Sequence, residues 1–152
     1  MELNASNIGR VLYVDDEEIN LVNFREAIGG HYQVFTAVSG EEALALLARE
    51  GQMGLVIADQ RMPGMTGIQL LIRVKELHPE TTRMIMSAYT EINDLIDAIN
   101  QAEVFRYCVK PWHEDSLLHT ISNAIATYNL AMEIRKVLDH GKSELREQRS
   151  FF

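Results

Sequence analysis

At 152 residues the chain suits one domain of ordinary size, long enough to bury a proper core with little left for a second. Its 47% hydrophobic and 24% charged residues mark a soluble globular protein, with no apolar run near a membrane span and no export signal in MELNASNIGR. The net charge of −8, with 14 Lys and Arg spread along the chain, argues against direct nucleic-acid binding, and the lone Cys108 excludes an internal disulfide and suits a cytoplasmic setting.

Apolar runs of strand length alternate with amphipathic segments of helix length. VLYV (11–14) reads as a buried strand, and INLVNFREAI as a helix with Leu21, Phe24 and Ile28 on one stripe before Gly29 and Gly30. YQVFTAV is a second strand, and SGEEALALLARE opens with Ser39 and Glu42 at capping-box spacing. GLVIA forms a third. After ADQRMPGMTG, Thr66 and Gln69 offer another capping box ahead of Ile68, Leu71, Val74 and Leu77, with Pro79 closing that helix. RMIMSA is the fourth strand, and EINDLIDAINQA the fourth helix, with a stripe of Ile92, Leu95, Ile96 and Ile99. VFRYCV is the fifth strand, followed by a long helical stretch after Pro111. Such alternation predicts an α/β fold with a parallel sheet covered on both faces, open and doubly wound, since the units are too few for an eight-unit barrel.

The last helix is longer than a covering helix requires, with neither Gly nor Pro from Glu114 to His140. Leu117, Ile121, Ala124, Tyr128, Ala131, Arg135 and Leu138 alternate spacings of four and three, as in a coiled-coil seam, with Ile134 as an alternative phase to the interrupting Arg135. In one reading this helix forms a homodimer. In the other, Leu117 to Tyr128 face the sheet and the remainder is polar linker, continuing from Gly141 through KSELREQRSFF. The division expected is a leader over 1–8, the domain over 9–130, and an extended helix or linker over 131–152.

In open α/β sheets, ligands bind beyond the carboxyl ends of the strands. There the first strand ends in Asp15-Asp16, the third in Asp59, the fourth in Ser87-Ala88 and the fifth in Lys110-Pro111. Each residue alone has a bland reading: Asp59 before Pro-Gly as a turn former, Asp15-Asp16 as a helix cap. Together they are a site. Three carboxylates repel one another, and Lys110 offsets one charge, so either one carboxylate is protonated or a hard cation such as magnesium (Mg2+) sits among them. A metal, a lysine, the Ser87 hydroxyl and the Ala88 backbone N–H are also suited to the oxygens of a phosphoryl group. No phosphate-binding Gly-x-x-x-x-Gly-Lys-Ser/Thr loop is present, which leaves a carboxylate as acceptor.

The set VDDE, ADQRMPGMTG, MSA and YCVKP closely resembles the receiver domain of bacterial two-component response regulators, in the right order over roughly residues 9 to 130. The resemblance implies a flavodoxin-like five-stranded parallel sheet of order 2-1-3-4-5, here with an extended C-terminal helix. It implies Asp59 as phosphoacceptor, with Asp16, Asp15 and the backbone carbonyl of Arg61 around magnesium. Ser87 and Lys110 hold the phosphoryl group, the Lys110–Pro111 bond is cis, and Ser87 and Tyr107 form the switch that remodels the surface of the fourth helix, fifth strand and fifth helix. The implied partners are a sensor histidine kinase and an output domain in cis, and the chemistry is confined to the domain's own phosphorylation and dephosphorylation. The wording DQRMPG…KPW is most similar to regulators with a large enzymatic or ATPase output domain.

Arg61 and Tyr89, two residues beyond Asp59 and Ser87, are expected over the mouth of the site, where bulk prolongs the life of a phosphoryl group. The histidines show no ligand spacing and are expected in solvent, and Cys108, Met84 and Met86 read as core. The rival function is a non-phosphorylated dimerisation scaffold of the same fold. A metal-dependent phosphatase is remote, because ADQ lacks the second carboxylate of an Asp-x-Asp strand end.

Overall fold

The computed structural model describes residues 9–88 and 92–150. Its elements run β1 (Arg10–Val14), α1 (Glu18–Ile28), β2 (Gln33–Ala37), α2 (Gly40–Glu50), β3 (Leu55–Asp59), α3 (Gly67–Leu77), β4 (Thr82–Ala88), α4 (Ile92–Ala102), β5 (Arg106–Lys110) and α5 (Glu114–Ser150). The strands form one parallel sheet of order β2-β1-β3-β4-β5, as the resemblance implied. No helix of the described residues is long and apolar enough to cross a membrane.

Both faces of the sheet are buried because consecutive strand residues point to opposite sides. Leu12, Val14, Val56, Ala58 and Ile85 meet Ala43, Leu46 and Leu47 of α2, Ile68, Leu71 and Val74 of α3, and Ala102 of α4. Their sequence neighbours Val11, Tyr13, Leu55, Ile57, Met84 and Met86 meet Leu21, Phe24 and Ile28 of α1 and Leu117, Ile121, Ala124 and Ile125 of α5. A strand apolar at every position is therefore what a covered central strand requires.

Local signals act as expected in part. Thr66 and Gln69 form a complete capping box at the start of α3. At α2 the Ser39 hydroxyl accepts from the Glu42 N–H, which is half of one. In α4, Ile99 packs against the core whereas Ile96 is half-exposed; the side chains of Ile92 and Leu95 lie outside the described residues. His78, expected in solvent, is the half-buried C-cap of α3, and its Nδ1 has no hydrogen-bond partner among the described residues. The other four histidines are exposed, His140 lying 3.0 Å from Glu144, and Cys108 is half-buried against the α1–α5 face.

The last helix departs most from a simple cover. It runs unbroken through Gly141 to Ser150, a length of about 55 Å at 1.5 Å per residue. Leu117, Ile121 and Ala124 are buried under the sheet, and Arg135 forms an ion pair with Glu80, so this seam is committed within the domain. The face left exposed carries Leu130, Ile134, Val137, Leu138 and Leu145, the alternative phase through Ile134.

Candidate functional site

Parallel register brings the strand ends to one rim. Asp59 pairs with Met86, Ser87 with Val109 and Ala88 with Lys110, while β1 ends beside β3 at Val14 and Ala58. Asp15, Asp16 and Asp59 each offer a carboxylate oxygen, all within 4.8 Å of one another. Asp15 is fully buried and Asp59 is 7% exposed, whereas Asp16 faces solvent.

Asp15 is held by four donors. Its Oδ1 accepts from the Glu17 N–H at 3.0 Å, and its Oδ2 accepts from the Tyr13 hydroxyl at 2.8 Å, Lys110 Nζ at 2.9 Å and Asn20 Nδ2 at 3.1 Å. Asp15 thus bonds the N–H of Glu17 while belonging to the acidic cluster, but the N-cap of α1 is Glu17 rather than either aspartate, so the cap reading does not hold. Lys110, which precedes a cis bond to Pro111, also lies 3.2 Å from Asp59 Oδ1. Its ammonium therefore bridges the two buried carboxylates.

The electrostatics follow from burial. Removal from water raises the Asp59 carboxyl to about 6, with the Asp15 charge adding to the rise and Lys110 opposing it. For Lys110, burial favours the neutral amine, but hydrogen bonds and charges from Asp15 and Asp59 outweigh it and raise its pKa. Burial and the Asp15 carboxylate push the Tyr13 phenol up as well, so it remains a donor.

The loop after Asp59 is tied at both ends. The Gln60 N–H donates to the Met86 carbonyl at 2.9 Å, the Gln60 side-chain oxygen accepts from the Ile68 N–H at 2.9 Å, and its carbonyl accepts from the Gly67 N–H at 3.2 Å. Gly64 turns the loop at φ 76°, a conformation glycine adopts without strain. Arg61 is exposed in this loop, Ser87 is buried at the rim, and Ala88 is exposed beside it. The Tyr107 hydroxyl donates to the Ala88 carbonyl at 2.9 Å, joining this ring to the end of β4. Tyr89 lies outside the described residues. Beside the rim opens a cleft of about 460 Å³ lined by Tyr13, Asn20, Asn23, Lys110, Pro111 and Trp112.

Tyr13, Asn20 and Gln60 were not singled out by the sequence reading. The available signal for Tyr13 was a hydroxyl in an otherwise aliphatic strand, two residues before Asp15 and so on the same side of it.

The family model of the response regulator receiver domain matches residues 11–122. The chain belongs to this family. The receiver is 36% identical over 127 residues to the hydrogenase transcriptional regulatory protein HoxA of Cupriavidus necator, covering 84% of this chain and 26% of that protein. It is 32% identical over 127 residues to the DNA-binding transcriptional regulator NtrC of Salmonella typhimurium, covering 84% of this chain and 27% of that one. The receiver thus spans about a quarter of the length of these curated relatives. Among solved structures, the signal receiver domain of an HD domain-containing protein from Pseudomonas fluorescens superposes with a TM-score of 0.75 at 30% identity, covering 80% of this chain and 98% of that one. A protein described as adenylate cyclase from Rhodopirellula baltica superposes with a TM-score of 0.82 at 26% identity, covering 87% and 98%. A receiver is a phosphoacceptor switch of two-component signalling, limited to its own phosphorylation and dephosphorylation and not a free-standing enzyme.

Proposed function

We propose that this receiver takes a phosphoryl group on Asp59 from the phosphohistidine of a sensor kinase. The reading rests on the placement of Lys110, 2.9 Å from Asp15 and 3.2 Å from Asp59 at the mouth of the acidic cluster. An Asp59 oxygen attacks phosphorus in line with the departing imidazole. The new O–P bond gives an acyl phosphate, and the P–N electron pair leaves with the imidazole nitrogen. A carboxyl that titrates at about 6 is mostly ionised at neutral pH, as a nucleophile must be. The Lys110 ammonium, the Ser87 hydroxyl and the Ala88 N–H would receive the phosphoryl oxygens.

The donor set fits magnesium: three carboxylates in reach of one another, two of them buried, with a single ammonium between them. Asp15, Asp16, Asp59 and the Arg61 carbonyl would hold the ion, which when bound neutralises charge on the phosphoryl oxygens.

Phosphorylation would draw Ser87 toward the new oxygens and release Tyr107 to turn, changing the α4–β5–α5 surface. That surface would act on an output domain in cis, controlling transcription as the names of HoxA and NtrC indicate for those proteins. The setting would be cytoplasmic. The exposed stripe of Leu130, Ile134, Val137, Leu138 and Leu145 supports packing of α5 against a second copy. The same stripe is what favours the rival scaffold function, which needs no phosphate. Incubation with acetyl phosphate and magnesium, followed by intact-mass analysis, separates the two. One phosphate should add to the wild type and none to Asp59→Asn; an unmodified wild type would leave the scaffold.

A further inference from the structure

Asp15 does not divide its hydrogen bonds evenly. Three donors (Tyr13, Lys110 and Asn20) converge on Oδ2, while among the described residues Oδ1 accepts only from the Glu17 N–H. A carboxylate has about four lone-pair sites, so Oδ1 is the oxygen with capacity to spare. Rotating the carboxylate to present the other oxygen would break several charge-assisted bonds at once inside a fully buried site.

We propose that Tyr13 is a positioning residue for the metal: its hydroxyl, with Asn20, commits one oxygen of Asp15 to the protein and leaves the other aimed at the ion. Tyr13 is built for this. Its ring is fully buried and stacks on Phe24, with centroids 4.3 Å apart and planes at 20°. Its hydroxyl touches Met86 Sδ at 3.7 Å, which bars it from swinging away toward β4. A phenylalanine would keep the same ring packing on this strand, whose neighbours Val11, Leu12 and Val14 are all apolar. Beyond that ring, the hydroxyl adds its bond to Asp15 and its contact with Met86 Sδ. Partners that orient a ligand are typically worth ten- to a hundredfold in metal affinity.

The inference rests on the magnesium reading above, and the test separates the two. Magnesium binding to the full 152-residue chain is measured by calorimetry and by fluorescence of Trp112, the sole tryptophan, which packs edge-on against Phe24 at 6.3 Å. Tyr13→Phe should weaken binding about tenfold. In the acetyl-phosphate reaction it should raise the magnesium needed for half-maximal rate by the same factor, while the rate at saturating magnesium stays within about twofold. Asn20→Ala, at a partly exposed position, should shift affinity in the same direction and serves if Tyr13→Phe does not fold. Equal affinity of Tyr13→Phe and wild type, or a lower maximal rate at an unchanged magnesium requirement, overturns the proposal. A wild type indifferent to magnesium overturns the magnesium reading itself, and this inference with it.

Discussion

Gly67 stands so close beneath Asp59 that a Cβ on it would come within 2.4 Å of the Asp59 carbonyl oxygen. The first residue of α3 is thereby packed against the end of β3, and Ile85 Cδ1, 2.7 Å from the same point, closes the remaining space. Backbone cannot give way as a flexible side chain can. Gly67→Ala should therefore cost about 2 kcal/mol in urea unfolding, the usual penalty of overpacking. It should also slow phosphoryl uptake, because the shifted strand end carries Asp59. A fully stable, fully active Gly67→Ala protein would show that the contact relaxes freely.

Lys110 is the one ammonium between two buried carboxylates. Its replacement in Lys110→Ala removes both the charge that holds Asp59 down and a donor from Asp15, so Asp59 should titrate above about 6. Phosphorylation by acetyl phosphate at pH 7, followed by intact mass, should slow at least about tenfold. An unchanged time course would remove Lys110 from the chemistry.

Asp59 also couples stability to pH. Its folded value of about 6 exceeds the ordinary 3.8, so the native state holds this proton more tightly than the unfolded chain does. The stability it contributes is complete below about pH 4 and is lost as pH rises through 6. Without magnesium, Asp59→Asn should be more stable than wild type at pH 7 by on the order of 3 kcal/mol, and the gap should close near pH 4. Magnesium should narrow the gap at pH 7 by favouring the ionised carboxylate. Urea unfolding across this range measures it, and a wild type more stable than Asp59→Asn at pH 7 without metal would show that burial does not dominate.

At the opposite end of the sheet, Arg83 is 6% exposed and donates to four carbonyls: Thr81 at 2.8 Å, Ala102 at 2.9 Å, Pro79 at 3.2 Å and Glu103 at 3.3 Å. It staples the start of β4 to the turn between α4 and β5. Arg83→Met fills the space yet leaves those oxygens without a donor, at a cost of about 3 kcal/mol. Since the rim is a strand length away, magnesium affinity should not change. Calorimetry on the folded variant would detect any coupling.

The exposed face of α5 is tested by Ile134→Glu combined with Val137→Glu. These residues are 52% and 70% exposed, so the monomer should lose no stability. Light scattering during gel filtration should show a wild-type dimer and a monomeric variant. A monomeric wild type at the same concentration would leave the stripe without a second copy as its partner.

The sheet was legible because a covered parallel strand must be apolar on both faces, and the runs VLYV, LVIA and MIM within β1, β3 and β4 carry that demand openly. The rim was legible for a related reason: the residue after such a run is placed by the sheet wherever the rest of the chain goes, which brought Asp15, Asp59, Ser87 and Lys110 together. The long helix was legible as a helix but not in its facing. Spacings of four and three serve a sheet and a partner helix alike, and only packing assigned Leu117, Ile121 and Ala124 to the sheet and left Ile134 and Val137 outside. For Tyr13 the sequence offered only a hydroxyl two residues before Asp15, and the parts played by Asn20 and Gln60 were decided by tertiary structure alone. Each depends on where a side chain's last atom meets a group elsewhere in the site, and that is a matter of rotamers and neighbouring elements, which one-dimensional spacing does not encode.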